Sequence, residues 1–390
     1  MKKVLIITTV SGFLYKFEMD NVKILQDLGY EVHYAANRYV PNYIYDEEEL
    51  VRRGVIFHHI DIAQSPFERK MNKKALGQII EIIEKEDIKL IHCHTPVGGV
   101  LGRVAGKKCA ARGVKVIYTT HGFHFYKGAP KSSYMLFYMA EKYLARSTDV
   151  IITINSEDYS NARKFRMREG GMVYKIPGVG IDLEAFKPMS DEEKRSARQM
   201  LGISPDTFFL LSVGEFSRNK NHITVIKMLK KMKDEKTLGD LKYGICGDGY
   251  YRDELIQTVE KLGLSDVITF FGYRTPVQPV LGCADAFIFP SRREGLGMAA
   301  IEALAMGVPV IAADNRGTRE YMIPEENGYI CAWDDCEAYK KNLETIRHLS
   351  PERLRKMKEY CRSSVEQFDK KNTVLIMSGI YERTDRQLWK

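Results

Sequence analysis

Short apolar runs and longer amphipathic stretches alternate along the whole chain, the pattern of parallel sheets with crossover helices. In the first half the runs fall near 3–9, 31–36, 55–59, 89–93, 115–120, 149–154 and 172–176, and each predicts a strand. Amphipathic stretches at 16–28, 73–86, 97–112, 132–146 and 156–168 predict the helices between them. Between Ile176 and Pro188 glycines and prolines break the rhythm, which predicts a linker and two domains, 1–187 and 188–369. A helix from Asp191 then opens a second series, with strands near 207–213, 242–246, 267–270, 285–289 and 308–313. Helices near 220–233, 251–262, 275–282 and 298–306 separate them. From Asp335 the tail is polar and helical, and its last part carries Val374, Leu375, Met377, Ile380 and Tyr381. Two doubly wound α/β domains in series predict a ligand cleft at the carboxyl ends of their strands, with the linker as hinge.

With 390 residues, 44% hydrophobic and 28% charged, the chain has the bulk and balance of a globular protein with more than one core. Met1-Lys2-Lys3 before VLIITTV has the charge of a leader, but the threonines break the apolar run and no small-residue cleavage site follows, so it reads as a first strand. No run approaches the roughly 18 apolar residues of a spanning helix. Seven scattered cysteines (Cys93, Cys109, Cys246, Cys283, Cys331, Cys336, Cys361) without a C-x-x-C pair suit single thiols in a reducing cytosol. The net charge of +8 sits almost wholly in the first half, where 28 Lys and Arg face 21 Asp and Glu, against 31 and 30 in the remainder. A basic first half suits an anionic partner such as a lipid diphosphate or a headgroup surface. Nucleic-acid binding has only this charge behind it and no motif.

One stretch, Phe287 to Ala313, carries the most chemistry. A strand ends in Pro290-Ser291, a loop holds Gly295, Leu296 and Gly297, a helix follows, and Gly307 and Pro309 stop it before the next strand. The helix N-terminus presents unpaired N–H groups and a partial positive charge, so it suits a phosphate. Glu294 before the helix and Glu302 within it would repel that phosphate and are placed better to accept hydrogen bonds from neutral hydroxyls. A ligand with phosphates in the middle and hydroxylated rings at both ends is a nucleotide sugar.

The Glu294–Glu302 spacing, with the flanking PSRREGLG and EALAMGVPVIA, resembles the donor site of the retaining glycosyltransferases of family 4, which have the GT-B fold of two Rossmann-like domains facing across a cleft. That resemblance implies a UDP-sugar donor, Glu294 at the sugar, Glu302 at the ribose, and a final helix, about 370–390, that packs back on the first domain. Lys220 matches the family lysine on the pyrophosphate, and Gly214 ends the strand before it. The family arginine is missing, because position 215 is Glu, and Arg218 is the nearest replacement cation. His121, in THGFHFYKGAP, resembles the histidine that reaches the donor sugar. Of the family's paired glycines after the first strand only Gly12 matches. Gly247 marks a turn near the nucleotide, and Tyr273 and Arg274 lie where the base is read.

His94, His124, Phe125, Tyr126 and Lys127 are the candidates for the acceptor side, with aromatic faces for sugar rings and Lys for phosphate. His92, His94 and His121 together suggest a metal-dependent hydrolase, yet no acidic ligand cluster or H-E-x-x-H helix accompanies them, and the chain contains no Asp-x-Asp. No metal or other cofactor is expected. HCHTPVGGVLGR and THGFHFYKGAP resemble the subgroup that builds capsule and exopolysaccharide units on undecaprenyl diphosphate. The resemblance implies a hexosyl or N-acetylhexosaminyl transferase acting on a lipid-linked saccharide. The aromatic, basic-ended segment 131–146 and the basic loop 65–74 suit peripheral attachment to the anionic inner face of the cell membrane, with a buried helix as the competing reading for 131–146. A UDP-sugar 2-epimerase of the same fold and a non-catalytic assembly partner are the other readings.

Overall fold

A computed structural model of the protein describes residues 2–43 and 46–389; Met1, Ile44, Tyr45 and Lys390 lie outside that description. The chain divides into two compact units, one up to Gly180 together with Lys371 onward, the other Ile181–Lys370. Each holds one parallel sheet with helices as crossovers.

The first unit carries β1 (Lys2–Val10), β2 (Tyr30–Asn37), β3 (Val55–His59), β4 (Leu90–Cys93), β5 (Lys115–Thr120), β6 (Val150–Thr153) and β7 (Met172–Lys175) in the order β3-β2-β1-β4-β5-β6-β7. Val4 pairs with Val32 on one side and Leu90 on the other, so β1 is central, and Val4 to Ile7 are wholly buried. The order reverses between β1 and β4, and the loops that follow these strands form the crevice where doubly wound sheets bind ligands. The helix Pro96–Lys108 lies against the sheet through Gly99, Gly102 and Gly106. A Cβ at these positions would meet Tyr118, Cys93 and Val116 at 2.3, 2.6 and 2.2 Å. Arg103 of that helix is fully buried. It donates to the Gly99 carbonyl at 2.8 Å, grips both carboxylate oxygens of Glu141 at 2.6 and 3.1 Å, and lies 3.9 Å over the Tyr118 ring.

The final helix, Lys370–Leu388, completes this unit. Tyr381 Oη is 2.7 Å from His92 Nδ1, Asp385 accepts from Lys2 at 2.7 and 2.8 Å and from Tyr30 at 2.8 Å, and Thr373 donates to the Gly178 carbonyl.

The second unit carries β8 (Phe208–Val213), β9 (Leu241–Cys246), β10 (Ile268–Gly272), β11 (Ala286–Phe289), β12 (Val310–Ala313) and β13 (Gly328–Cys331) in the order β10-β9-β8-β11-β12-β13. Its switch point lies between β8 and β11. Leu210, Tyr243, Ile245, Ile288 and Ile311 of the sheet pack against Val225, Leu229 and Leu255 of the helices.

Three features depart from the sequence expectation. The helix expected at 16–28 is two, Gly12–Phe17 and Met19–Asp27, broken at Glu18 (φ −123°, ψ 7°). The boundary falls at Gly180 rather than 187, because Ile181 and Asp182 are tied to Phe368 and Lys370 of the second unit. β13 and the helix Glu47–Arg52 were not expected: the first is a four-residue edge strand half exposed at Tyr329 and Ile330, too short to carry a period.

Candidate functional site

In the second unit two loops at the β8/β11 switch point are tied together. Asn219 Nδ2 donates to the Arg293 carbonyl at 2.9 Å, Arg292 N–H donates to the Asn219 carbonyl at 2.9 Å, and Asn221 Nδ2 donates to the Pro290 carbonyl at 3.1 Å. Asn221 holds φ +58°, which swings the chain from Lys220 into the helix His222–Asp234. The result brings Lys220 Nζ within 2.6 Å of Glu294 Oε1, both side chains partly buried, with the ammonium 5.3 Å from the Phe289 ring centre. The helix Met298–Ala305 begins three residues after Gly295. Gly297 at its N-cap has φ +91° and no side-chain cap, and a Cβ there would strike the Phe289 ring at 2.8 Å and Tyr321 Oη at 2.9 Å. The first-turn N–H groups are thus left without a side-chain oxygen, beside a lysine, as an anion site requires. Burial, and next the Glu294 charge, hold the Tyr321 phenol well above its ordinary range, and it donates to the Gly297 carbonyl at 3.4 Å. Glu302 is half-buried in the helix's second turn.

Arg218 is not brought to this pair. It is exposed, and its guanidinium lies 5.7 Å over the Tyr251 ring. The buried cation beside Glu294 is instead Arg316, whose Nε donates to the Glu294 carbonyl at 3.4 Å. Gly214 and Gly247 close the ends of β8 and β9: Gly214 N–H donates to Cys246 and Gly247 N–H to Gly272, both at 2.9 Å. Those two N–H groups are therefore spent on backbone. Tyr273 is half exposed, and Arg274 folds back to donate to the Phe271 carbonyl at 3.0 Å.

In the first unit the loops after β1, β4 and β5 gather a second cluster. His94 Nδ1 shares a hydrogen bond with His121 Nε2 at 3.3 Å and stands 3.4 Å from Glu18 Oε1, while Asn21 Nδ2 donates to Glu18 Oε2 at 2.5 Å. His121 is also enclosed by the Phe13 ring, 5.1 Å away. Thr95, directly after His94, holds φ +62° and ψ 159°, a strained conformation for a β-branched residue, and bonds to Thr9 through its hydroxyl at 2.7 Å. Burial pushes the Glu18 carboxyl up to about 8; Asn21 opposes the rise and Asp20 adds to it. Burial pushes His121 down to about 4, and burial, then His92 and His121, hold His94 well below its ordinary value. At neutral pH the cluster is a protonated acid and two neutral imidazoles.

The ligand atoms of Glu18, His94 and His121 lie within 4.8 Å of one another, so the acidic group missing from the sequence argument about metals is present here. The His94 nitrogen that faces them is already hydrogen-bonded, and its Nε2 lacks the partner that orients a ligating imidazole. The spacing is one that could hold a metal ion, and the two imidazoles are also joined by a hydrogen bond. His92 is satisfied within the fold by Tyr381 and by Thr119, at 2.7 and 2.8 Å.

Known proteins divide the chain in the same way. Residues 193–364 match the family "Glycosyl transferases group 1", and residues 3–155 match "Glycosyl transferase 4-like". The protein named "Putative glycosyltransferase EpsD" of Bacillus subtilis (strain 168) is 36% identical over 380 residues, 97% of this chain and 96% of its own. The chain belongs to the group 1 glycosyltransferases. An Escherichia coli relative, UDP-Gal:alpha-D-GlcNAc-diphosphoundecaprenol alpha-1,3-galactosyltransferase, is 26% identical over 294 residues, covering 75% of this chain and 74% of that one. Sucrose-phosphate synthase from Thermosynechococcus elongatus has the same GT-B fold, with a TM-score of 0.79 at 21% identity over 99% of this chain and 100% of that one.

Several residues of this glycosyltransferase stand elsewhere than their sequence context indicated. His94 is wholly buried behind His121 and has no surface with which to meet an acceptor. Phe125 is core, packed among Phe123, Tyr134, Tyr138 and Phe165. Gly12 spends its N–H on the Pro41 carbonyl, and a Cβ there would lie 2.7 Å from two carbonyl oxygens, so close packing accounts for the glycine. His124 and Tyr126 are partly exposed, Lys127 is exposed, and the His124 ring is 5.2 Å from Phe137. The helix Lys131–Ala145 is neither wholly buried nor free. Tyr134, Phe137 and Tyr138 pack on the core, whereas Met135, Leu136, Met139 and Tyr143 are each more than half exposed, with Lys131, Lys142 and Arg146 along the same element. Phe67, in the basic loop, is also exposed. Sequence reasoning missed Glu18 and Arg316. Glu18 sits in an amphipathic stretch like any surface acid, and Arg316 follows a strand with no spacing to mark it.

Proposed function

We propose that this glycosyltransferase moves a hexose or N-acetylhexosamine from a UDP-sugar to a saccharide on undecaprenyl diphosphate, in the synthesis of a capsular or exopolysaccharide, with retention at the anomeric carbon. The observation that carries the reading is Lys220 paired with Glu294 beside the uncapped helix at Gly297. The donor diphosphate rests on the first-turn N–H groups and Lys220, which offset the charge that grows as the glycosidic bond breaks. Glu294 accepts from sugar hydroxyls and steadies the oxocarbenium-like centre, Glu302 accepts from the ribose, and neutral His121 bonds a sugar hydroxyl. The departing phosphate oxygen takes the acceptor hydroxyl's proton on the same face, a route that needs no pair of carboxylates at glycosidase spacing and no metal ion. The UDP-Gal and diphosphoundecaprenol in the name of the Escherichia coli relative support the choice of donor and acceptor class. A panel of nucleotide sugars tests it: one or more UDP-sugars should raise the melting temperature and be hydrolysed slowly without acceptor. If none of the panel does either, the reading fails.

The acceptor's lipid requires the enzyme to work at a bilayer. Among the described residues no helix is long and apolar enough to cross one. The outward apolar row Met135, Leu136, Met139 and Tyr143, with its flanking cations, supports docking on an anionic leaflet, since each Lys or Arg near such a surface adds about 1 kcal/mol. Leu136→Ser with Met139→Ser should weaken co-sedimentation with phosphatidylglycerol vesicles about tenfold or more, since about 0.8 kcal/mol is lost per unburied CH₂, while leaving the melting temperature unchanged. Equal sedimentation of the wild type and the double variant would remove this face from the proposal.

A further inference from the structure

Strands β11 and β12 are neighbours in the second sheet, with Phe289 level with Ala312, so the loops that leave their carboxyl ends run side by side. The loop after β11 carries Glu294 and ends at Gly297. The loop after β12 opens with a tight turn. Thr318 Oγ1 donates to the Ala313 carbonyl at 2.7 Å and accepts from the Asn315 N–H at 3.1 Å. The Gly317 and Thr318 N–H groups both donate to Asn315 Oδ1, at 3.0 and 3.1 Å. Two donors on one side fix which amide atom is the oxygen, so the other end of Asn315 is its NH₂. That end donates to the Ser291 carbonyl at 3.0 Å. Ser291 is wholly buried and its hydroxyl has no partner among the described residues, so its side chain ties the loop to nothing. The turn also bears on the loop further along. A Cβ on Gly317 would lie 2.8 Å from the Leu296 carbonyl oxygen, and Arg316 and Tyr321 reach the Glu294 and Gly297 carbonyls, both at 3.4 Å.

We propose that Asn315 is a positioning residue that holds, through the Ser291 carbonyl, the loop presenting the Glu294 carboxylate. The side chain is a bridge with two unlike ends: its oxygen builds the turn after β12, and its NH₂ reaches the neighbouring loop. An aspartate could still accept from Gly317 and Thr318, but it would turn a carboxylate oxygen rather than a donor to the Ser291 carbonyl. In the sheet β11 lies between β8 and β12, and the loop after it is tied on both flanks. On the β8 side Asn219 meets Arg292 and Arg293; on the β12 side Asn315 meets Ser291. Glu294 stands three residues beyond Ser291, so both ties act on the short segment that sets its 2.6 Å contact with Lys220. A loop fixed on both flanks keeps its carboxylate in place before any ligand arrives, the preorganisation that an electrostatic contact to a developing charge requires. With one flank released the carboxylate can shift, and a displacement of about 1 Å costs about 100-fold in rate.

The hold on the loop stands without any substrate; its consequence for turnover rests on the nucleotide-sugar reading above. The test uses the full chain and reads hydrogen–deuterium exchange over 291–297, where the Arg292 N–H bonded to the Asn219 carbonyl is a built-in reporter. In Asn315→Asp that exchange should be about tenfold faster or more, because a buried carbonyl is left unpaired, while β9 and β10 exchange as before. Gly317→Ala keeps Asn315 but pushes the turn off Leu296, so it should give the same pattern, and it carries the test if Asn315→Asp does not fold. Arg319→Ala is the control. That side chain is on the same turn but exposed, paired with Asp314 at 2.6 and 3.0 Å, and its loss should leave the exchange of 291–297 as it is. In parallel, kcat for UDP-sugar hydrolysis should fall about 10- to 100-fold in Asn315→Asp, with KM for the donor within about threefold, since Lys220 and the helix at Gly297 keep their own supports. Unchanged exchange at 291–297 in both variants overturns the proposal. Exchange raised equally over the whole second unit, or loss of the fold in both variants, also overturns it, because Asn315 would then serve stability alone. Faster exchange with wild-type kcat does so as well. If the wild type turns over no UDP-sugar while the exchange pattern appears, the substrate reading falls and the hold of Asn315 on the loop stands.

Discussion

Glu294→Gln is expected to lower kcat for sugar transfer by about 100-fold or more, the size of effect seen when one preorganised electrostatic contact to a developing charge is removed. The amide keeps the shape and can still bond a hydroxyl, but it no longer balances positive charge on the sugar ring. It also releases Lys220, which in the wild type is held at 2.6 Å. Lys220→Ala should act on the other side of the same pair: the diphosphate loses its nearest cation, KM for the donor rises, and Glu294 is left without its partner. Arg218→Ala is the control, because that guanidinium lies over Tyr251 and touches neither residue, so a change of no more than a few-fold is expected. Initial rates against donor concentration separate these outcomes. Wild-type kcat in Glu294→Gln, or a loss in Arg218→Ala as large as in Lys220→Ala, would move the donor site elsewhere.

Glu141→Ala is expected to have the largest effect on stability. Arg103 is fully buried, and Glu141 is the one carboxylate it contacts among the described residues. Removing it leaves a guanidinium in an apolar core with only the Gly99 carbonyl and the Tyr118 ring, a loss of about 3–5 kcal/mol. For a unit of this size that lowers the first unit's melting temperature by about 10 °C. Arg103→Met with Glu141→Met, which removes both charges and fills similar volume, should recover most of the loss. Calorimetry decides: a shift under about 1 kcal/mol in Glu141→Ala would mean that water reaches the guanidinium.

The second-unit candidate site was legible because its residues are local. Glu294, the glycines and Glu302 lie on one strand–loop–helix, and their spacing survives folding unchanged; Lys220 needed only the next switch-point loop. The first-unit cluster was half legible. His121 and His94 stand at strand ends, where strand prediction places them, but Glu18 becomes a buried acid only because the helix breaks there and the final helix brings Tyr381 beside it. No window of sequence contains both. The same limit explains Phe125 and the helix Lys131–Ala145: an aromatic-rich stretch carries apolar groups all round, and only packing shows that Tyr134 and Tyr138 face inward and Met135 and Met139 outward. Arg218 and Arg316 differ in burial and in partner, which a polar loop does not encode.

That the first unit is closed by the last helix has a consequence for how the protein is made. β1 is made well before the partners of Lys2, Tyr30 and His92, which lie at Asp385 and Tyr381. The whole of Ile181–Lys370 is translated in between. At ordinary elongation rates that is a delay of about 10–40 s. The second unit can therefore finish folding while the first waits with an uncovered flank, and His92 receives its Tyr381 partner only after the helix Lys370–Leu388 has been made.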